Sequence, residues 1–272
     1  MNERDAQVVL ITGASSGIGR ICAETLDAQG YRVYGTSRKP PDEVACGFRL
    51  LQMDINDSES VAAGVQTILD ETGRIDVAVN NAGFGYGGAV EDTSIDEAKA
   101  IFEANFFGVL RVCRAVLPTM RKQRRGLIVN VSSIGGLMGL PYQGLYCATK
   151  FAVEGMSEAL RMEVKPFGVH VTILEPGDIH TPFTANRRNT AASQTHETYR
   201  EPYQRALAKI EADEIGGDSP EVVAKALLHI VRQRNPKPRY IVGPFYEKLA
   251  VWVKSFLPAT IFEKIIMKNY NV

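Results

Sequence analysis

The chain has 272 residues, 45% of them hydrophobic, and its 31 basic residues balance its 31 acidic residues. A chain of this length fits one α/β domain, and the balanced charge argues against a nucleic-acid partner. No apolar stretch approaches the ~20 residues that cross a bilayer. The first predicted strand begins at Val8, soon after the charged residues Glu3, Arg4 and Asp5, which leaves no room for a signal peptide. We therefore expect a cytoplasmic protein.

The cysteines and histidines do not have the spacing of metal ligands, so no metal site is expected. Cysteines without a paired spacing are also typical of a reduced chain inside the cell. The residues concerned are Cys22, Cys46, Cys113 and Cys147, together with His170, His180, His196 and His229.

Seven apolar segments alternate with helical segments and predict strands. They cover residues 8–11, 32–36, 48–52, 75–80, 127–131, 169–174 and 240–242. This alternation predicts an α/β fold in which right-handed crossovers wind a parallel sheet. Ligands of such sheets bind outside the carboxyl ends of the strands, so the residues that follow each strand are candidates for a site.

The first strand runs directly into a glycine-rich turn, residues 12–19, with the sequence TGASSGIG. Strand, glycine turn and helix together favour a dinucleotide site, because the pyrophosphate can lie against the positive end of the helix. Gly13 permits the tight turn, Gly17 allows close approach of the pyrophosphate, and Gly19 allows close packing of helix on strand. The spacing is G-x-x-x-G-x-G rather than the commoner G-x-G-x-x-G.

Residues 34–39 after the second strand, YGTSRK, indicate the choice of cofactor. An NAD-binding chain would carry a carboxylate here for the ribose 2′-hydroxyl, and none is present. Arg38 can instead bind a 2′-phosphate, with a hydrogen bond from Ser37 and added charge from Lys39. The sequence therefore predicts NADP(H), the alternative being that Arg38 only caps a surface turn.

Tyr146 and Lys150 are four residues apart, which places both side chains on one face of a helix. A neighbouring ammonium favours the phenolate and lowers the tyrosine pKa, and a nicotinamide would add a second positive charge. Ser133 follows the strand at residues 127–131 and projects into the same crevice. Alone, a Tyr-x-x-x-Lys pair is more often an ordinary surface pair of a helix.

These motifs, together with Asn80-Asn81-Ala82-Gly83, Asn105 and Pro176-Gly177, resemble the short-chain dehydrogenase/reductase family over residues 7–181. Residues 134–141 and 167–170 look most like the 17-beta-hydroxysteroid dehydrogenase type 1 and photoreceptor retinol dehydrogenase branch. The resemblance implies a single-domain Rossmann fold, a doubly wound parallel sheet with strand order 3-2-1-4-5-6-7.

The resemblance also implies catalytic roles for four residues. Ser133 would hold the carbonyl oxygen, and Tyr146 would act as general acid or base. Lys150 would lower the tyrosine pKa and bind the nicotinamide ribose. The backbone carbonyl of Asn105 would hold a water that connects to Lys150.

The predicted cofactor contacts follow the strands in order. Asp54 and Ile55 would position the adenine, although Asp54 could instead cap the next helix. Gly177 would open space for the nicotinamide, whose carboxamide Ile179 and Thr181 would bind. The full set is Gly13, Ser15, Ser16, Gly17, Ile18, Gly19, Ser37, Arg38, Asp54, Ile55, Asn81, Ala82, Gly83, Tyr146, Lys150, Pro176, Gly177, Ile179 and Thr181.

Substrate contacts are expected from Phe84, Leu140, Tyr142 and Phe183, and from a loop at about residues 183–215. Such a wall favours a lipophilic ketone, aldehyde or alcohol, steroid- or retinoid-like, and NADP(H)-dependent hydride transfer. One alternative is a non-catalytic NADP(H)-binding sensor or scaffold, against which the intact catalytic residues argue. Another is an epimerase or dehydratase, which would usually carry a longer substrate domain.

After the Rossmann domain, residues 1–244, the segment 245–272 is predicted as an amphipathic helical extension. Its apolar residues recur at helical spacing on both sides of Pro258, with lysines between them. The favoured interpretations are a lid over the substrate pocket or a contact within a homodimer or homotetramer. The alternative is a helix pair on a membrane surface.

Overall fold

The computed structural model describes residues 6–40 and 47–272. The charged N-terminal residues and Cys46, on which expectations were placed above, lie outside these ranges. The main sheet has seven strands, all pairs parallel. They are β1 (Val8–Ile11), β2 (Arg32–Ser37), β3 (Arg49–Gln52), β4 (Val77–Asn80), β5 (Gly126–Val131), β6 (Val169–Pro176) and β7 (Arg239–Val242). Their order, β3-β2-β1-β4-β5-β6-β7, confirms the predicted Rossmann topology.

Helices connect the strands and extend the chain beyond β7. They are α1 (Gly17–Ala28), α2 (Ser58–Thr72), α3 (Ile95–Phe102), α4 (Gly108–Gln123), α5 (Gly144–Val164), α6 (Glu197–Ile215), α7 (Glu221–Arg232), α8 (Phe245–Lys254) and α9 (Ala259–Asn269). None of these helices is long and apolar enough to span a membrane, in the part of the chain that the structure describes.

The sheet is buried on both faces, as a parallel sheet flanked by helices must be. Val8 and Leu10 of β1 pack in one layer with α2, α4 and α5. The intervening residues Val9 and Ile11 pack in the other layer with α1 and α7. Alternate side chains of one strand therefore fill two separate cores, which fixes the register of the strand.

The predicted loop at about residues 183–215 is wrong for most of its length, because residues 197–215 form α6. This helix buries Tyr203, Ala206 and Ile210, at helical spacing, among many charged residues. The charged residues and the internal Pro202 hid this narrow apolar face from the sequence pattern. Before α6, Arg188–Asn189 pairs in parallel with Tyr86–Gly87 to form a separate two-stranded sheet.

Candidate active site

A cavity of about 770 Å³ lies at the carboxyl edge of the sheet, and loops after six of the strands contribute to it. Most of the predicted site residues line it: Gly13, Ser15, Ser16, Gly17, Ile18, Ser37, Arg38, Ile55, Asn81, Ala82, Gly83, Phe84, Ser133, Leu140, Tyr146, Lys150, Pro176, Gly177, Ile179, Thr181 and Phe183. Gly19, Asp54, Asn105 and Tyr142 are predicted site residues that do not line it. The sheet edge therefore brings together predicted residues as far apart in the chain as Gly13 and Phe183.

The glycine turn has the backbone that the sequence predicts. Gly13 and Gly17 have positive φ angles of 67° and 54°, which favour glycine. A Cβ atom at Gly19 would collide with the carbonyl oxygen of Gly13, so only glycine lets α1 approach the strand this closely. Ser16 and Gly17, at the N-terminus of α1, face the cavity. This cradle fits a pyrophosphate, because a helix N-terminus binds anions.

Thr12, which the sequence patterns did not single out, ties the glycine turn to the segment after β4. Its hydroxyl oxygen accepts hydrogen bonds from the backbone N–H groups of Asn81 and Ala82, each at 3.0 Å. The Asn81 side chain in turn donates to the carbonyl oxygens of Thr12 and Gly13, at 3.0 and 3.2 Å. Asn81 therefore holds the turn in place in addition to lining the cavity.

Arg38 is exposed at the rim of the cavity and forms no ion pair with any residue in the described ranges. Ser37 lines the cavity beside it. No carboxylate occurs in residues 34–39. An exposed guanidinium beside a hydroxyl fits the 2′-phosphate of NADP(H).

Asp54 lies next to the cavity but turns its carboxylate to the local backbone. Its side chain accepts a hydrogen bond from the N–H of Asn56 at 3.0 Å. It does not cap α2, because Asp57 is the residue whose side chain does so. Ile55, by contrast, lines the cavity as predicted.

Ser133 and Tyr146 both line the cavity, with their side chains close enough to interact. Ser133 accepts a hydrogen bond from the N–H of Gly135 at 3.1 Å, which fixes its hydroxyl. Burial raises the pKa of Tyr146 above its ordinary value, and the interaction with Ser133 opposes that rise. The protein's own groups therefore keep Tyr146 as a neutral phenol, the form that can donate a proton.

Lys150 lies beside Tyr146, with its Nζ atom 5.7 Å from the centre of the tyrosine ring. The ammonium donates a hydrogen bond to the carbonyl oxygen of Val131 at 2.9 Å. Burial lowers the pKa of Lys150 to about 8, and the nearby Glu154 opposes this shift. The expected lowering of the Tyr146 pKa by Lys150 is not seen: burial raises this pKa, and the groups that oppose the rise are Ser133 and Arg187.

Asn105 lies in a π-helical turn, Glu103–Phe107, between α3 and α4. Its side chain accepts a hydrogen bond from the N–H of Phe84 and donates to the carbonyl oxygen of Phe84, both at 3.0 Å. It also donates to the hydroxyl of Thr149 at 3.3 Å. The side chain thus positions Phe84 in the cavity wall, and a water held by the Asn105 carbonyl stays a prediction. A π-helical turn inside a long helix often marks a functional site.

Gly177 lies where β6 leaves the sheet. The space on its Cβ side is filled by the carboxylate of Glu247 from α8, with which a side chain would collide. Because Gly177 has no side chain, Glu247 of α8 can pack against it. The sequence did not predict this contact. Burial raises the pKa of Asp178 to about 9, and the neighbouring Glu247 adds to that rise.

The substrate side of the cavity is less apolar than predicted. Phe84, Leu140 and Phe183 line it, but Tyr142 packs against Tyr203, with ring centres 5.5 Å apart, and does not. Further lining residues were not named individually by the sequence analysis, although five of them fall in the predicted substrate segment 183–215: Gln143, Asp178, Asn186, Arg188, Ile210, Asp213, Glu214 and Tyr270. Most come from α6, the segment before it and the end of α9, where no motif in the sequence marks them.

Comparison with known proteins places these features among known relatives. The chain matches the family described as short chain dehydrogenase over residues 7–192. It is 48% identical over 266 residues to a 3-ketodihydrosphingosine reductase of Bacteroides thetaiotaomicron, covering 98% of each chain. It is 35% identical over 252 residues to the 17-beta-hydroxysteroid dehydrogenase type 1 of Homo sapiens, covering 86% of this chain and 76% of that protein.

A solved structure agrees with the fold. The short-chain dehydrogenase of Streptomyces avermitilis superposes with a TM-score of 0.79 at 33% identity, covering 96% of this chain and 97% of the other. The predicted likeness to the 17-beta-hydroxysteroid dehydrogenase type 1 branch is confirmed, and the similarity to a 3-ketodihydrosphingosine reductase adds a relative that the motifs did not indicate.

Proposed function

Because the chain belongs to the short-chain dehydrogenase/reductase family, whose members are oxidoreductases with a nicotinamide cofactor, we propose that it uses NADP(H) to reduce a long-chain amino ketone of the 3-ketodihydrosphingosine type. The observation that carries the reaction type is the placement of Ser133, Tyr146 and Lys150 together in the cavity that the glycine turn lines.

A bound nicotinamide would supply the hydride. Ser133 donates a hydrogen bond to the substrate carbonyl oxygen and stabilises the negative charge that develops there. Tyr146 gives its phenolic proton to the same oxygen, and the raised pKa keeps that proton available at neutral pH. Lys150 binds the ribose of the cofactor and places a positive charge beside the phenolate that forms. Asn105 keeps Phe84 in position in the wall.

The proposed preference for NADPH over NADH rests on Arg38. Its guanidinium is exposed at the cavity rim, and residues 34–39 hold no carboxylate to receive the ribose 2′-hydroxyl of NADH. A carboxylate there would repel a 2′-phosphate, whereas an arginine attracts it.

Two observations support the amino ketone. The first is the 48% identity, over nearly the whole of both chains, to the Bacteroides thetaiotaomicron 3-ketodihydrosphingosine reductase. The second is the mixed wall of the cavity, in which apolar Phe84 and Phe183 would suit an alkyl chain and the carboxylate of Asp213, which pairs with Lys209, could also receive an ammonium. A steroid- or retinoid-like substrate, the predicted class, carries no ammonium that could form an ion pair with such an acid.

A substrate panel tests the proposal. The loss of NADPH absorbance is followed with 3-ketodihydrosphingosine, a long-chain ketone without the amino group, and a steroid ketone. We expect the highest kcat/KM for 3-ketodihydrosphingosine. A higher value for the steroid would overturn the substrate proposal in favour of the steroid-like prediction. NADPH binding without turnover of any ketone would favour a sensor or scaffold.

We also propose a cellular location and an oligomeric state for the enzyme. We place the protein in the cytoplasm, as a homodimer or homotetramer, without a nucleic-acid partner. The composition of the chain, with its balanced charge, supports the last of these.

A further inference from the structure

The helix α8 turns its apolar side to solvent. Phe245, Leu249, Trp252 and Phe256 recur at helical spacing, on one side of α8 and the turn after it, and their exposed fractions lie between 44% and 77%. The rings of Trp252 and Phe256 contact each other at the surface, with centres 4.7 Å apart. The opposite side of α8 buries a single residue, Glu247. An ordinary surface helix does the opposite, because it buries its apolar side and exposes its polar side.

The helix α9 shows a related arrangement. Ile261 and Ile265, one turn apart, are 48% and 49% exposed. Lys264 and Lys268 are exposed on the same side of the helix. Phe262, which points to the other side, is the residue that α9 buries. The six apolar residues on these outer sides, here called the outer stripe, are Phe245, Leu249, Trp252, Phe256, Ile261 and Ile265.

The outer stripe is not a lid over the cavity. A lid would turn its apolar side inward, whereas among the described residues of the tail only Tyr270 lines the cavity. Polar contacts hold α8, in addition to the burial of Phe262 in α9: Glu247 accepts a hydrogen bond from the N–H of Asp178, and Lys254 donates to the carbonyl oxygen of Leu137. These contacts leave the apolar side of α8 facing solvent.

The charged residues around the outer stripe indicate what kind of surface it binds. Lys248, Lys264 and Lys268 are exposed beside it, and Glu263 is the exposed acid of the two helices. In a symmetric dimer contact, the outer stripe of one copy would lie against the outer stripe of the other. The lysines of the two copies would then lie close together and repel each other. An anionic lipid surface complements them, and its interface accommodates tryptophan and phenylalanine side chains.

We propose that the outer stripe docks on an anionic membrane surface. The aromatic and aliphatic side chains insert among the headgroups and acyl chains, and the lysines contact lipid phosphates. Docking would bring Tyr270, and with it one wall of the cavity, close to the membrane. The proposal does not depend on which ketone the enzyme reduces.

Vesicle flotation tests the proposal with the full-length protein. It compares vesicles of phosphatidylcholine with vesicles that also contain phosphatidylglycerol. We expect the wild type to float with the anionic vesicles only. The double variant Trp252→Glu/Phe256→Glu should lose binding about tenfold or more, because it removes two inserted rings and adds two repelled charges. Lys264→Gln/Lys268→Gln should weaken binding and its dependence on salt.

The matched control is Ile95→Glu/Met162→Glu, since these side chains are 71% and 70% exposed on α3 and α5 rather than on the tail. It should float like the wild type. All variants are checked for NADPH binding and for thermal unfolding, so that a misfolded variant is recognised. Flotation of Trp252→Glu/Phe256→Glu, or no flotation of the wild type, would overturn the proposal. The proposal would also be overturned if that variant changed from dimer to monomer and flotation did not depend on the lipid. The outer stripe would then be a contact between copies of the chain.

Discussion

The carboxylate of Glu247 accepts hydrogen bonds from the backbone N–H of Asp178, at N···O distances of 3.3 and 3.1 Å. The two residues are 69 positions apart, and their contact joins α8 to the loop that follows β6. Their side chains also lie close to each other, and burial raises the pKa of both carboxyl groups. No lysine or arginine among the described residues forms an ion pair with either acid. The extension is therefore anchored at a pair of buried acids whose pKa values are raised.

This anchor predicts a particular dependence of stability on pH. Since the folded pKa of Asp178 is raised to about 9, its contribution is fully present below its unfolded pKa and is lost as the pH rises through about 9. Glu247→Gln removes the neighbouring charge but keeps an oxygen for the Asp178 N–H. We expect its melting temperature to fall less than that of the wild type between neutral pH and pH values above 9.

The control for this measurement is Glu263→Gln, an exposed acid on α9. It should keep the wild-type slope of melting temperature against pH. If Glu247→Gln showed the wild-type slope as well, Glu247 would not contribute to the raised pKa of Asp178.

Removing the extension after Pro244 should leave a folded protein. The two large core clusters on the faces of the sheet include no residue beyond Val242. We expect a cooperative thermal transition and NADPH binding, with weaker binding than in the full chain because the loop at Asp178 loses its partner Glu247. Circular dichroism and NADPH fluorescence measure both properties. A truncated chain without a cooperative transition would show that the tail belongs to the core.

The sequence predicted the sheet well and the contacts of the tail poorly, for a physical reason. Buried strands such as β1 and β5 read as continuous apolar runs, and the glycines of the turn have one backbone role each. Both signals are local. The contact between Gly177 and Glu247 joins residues 70 positions apart (247 − 177), and a glutamate on an amphipathic helix is normally interpreted as exposed.

The substrate wall was hard to predict for a similar reason. Asp213 and Glu214 lie on α6, among acidic and basic residues that resemble a solvated surface. Glu214 is buried because Arg187 and Thr184, from the preceding segment, bind its carboxylate. The role predicted for Asn105 stays a prediction, and its observed hydrogen bonds to Phe84 depend on the π-helical turn, which residue spacing does not reveal.

Arg38 should decide the choice of cofactor. Arg38→Asp removes the ligand of the 2′-phosphate and adds a repulsive charge, so we expect the ratio of kcat/KM for NADPH over NADH to be reversed or flattened. Lys225→Asp is the control, since it makes the same change of charge at an exposed residue of α7 that does not line the cavity. A wild-type preference for NADH would contradict the prediction.

Lys150 should affect both binding and rate. Lys150→Ala removes the ammonium beside Tyr146 and the proposed ligand of the cofactor ribose. We expect a higher Kd for NADPH and a lower kcat, measured by fluorescence titration and by steady-state kinetics. Lys165→Ala, at an exposed lysine after α5, should change neither. A loss of rate with an unchanged Kd would contradict the role in binding the ribose.

The central claim is that Tyr146 protonates the oxygen of a ketone that receives hydride from NADPH. Its most direct test is mass spectrometry of the alcohol formed from 3-ketodihydrosphingosine and NADPH deuterated at the transferred position. The wild type and the control Tyr142→Phe, which alters a tyrosine outside the cavity, should give an alcohol carrying one deuterium. Tyr146→Phe should bind NADPH nearly as tightly and form that alcohol at less than about a tenth of the wild-type kcat, as expected when a general acid is removed. An unlabelled alcohol, or a Tyr146→Phe variant that keeps more than about a tenth of the activity, would contradict it.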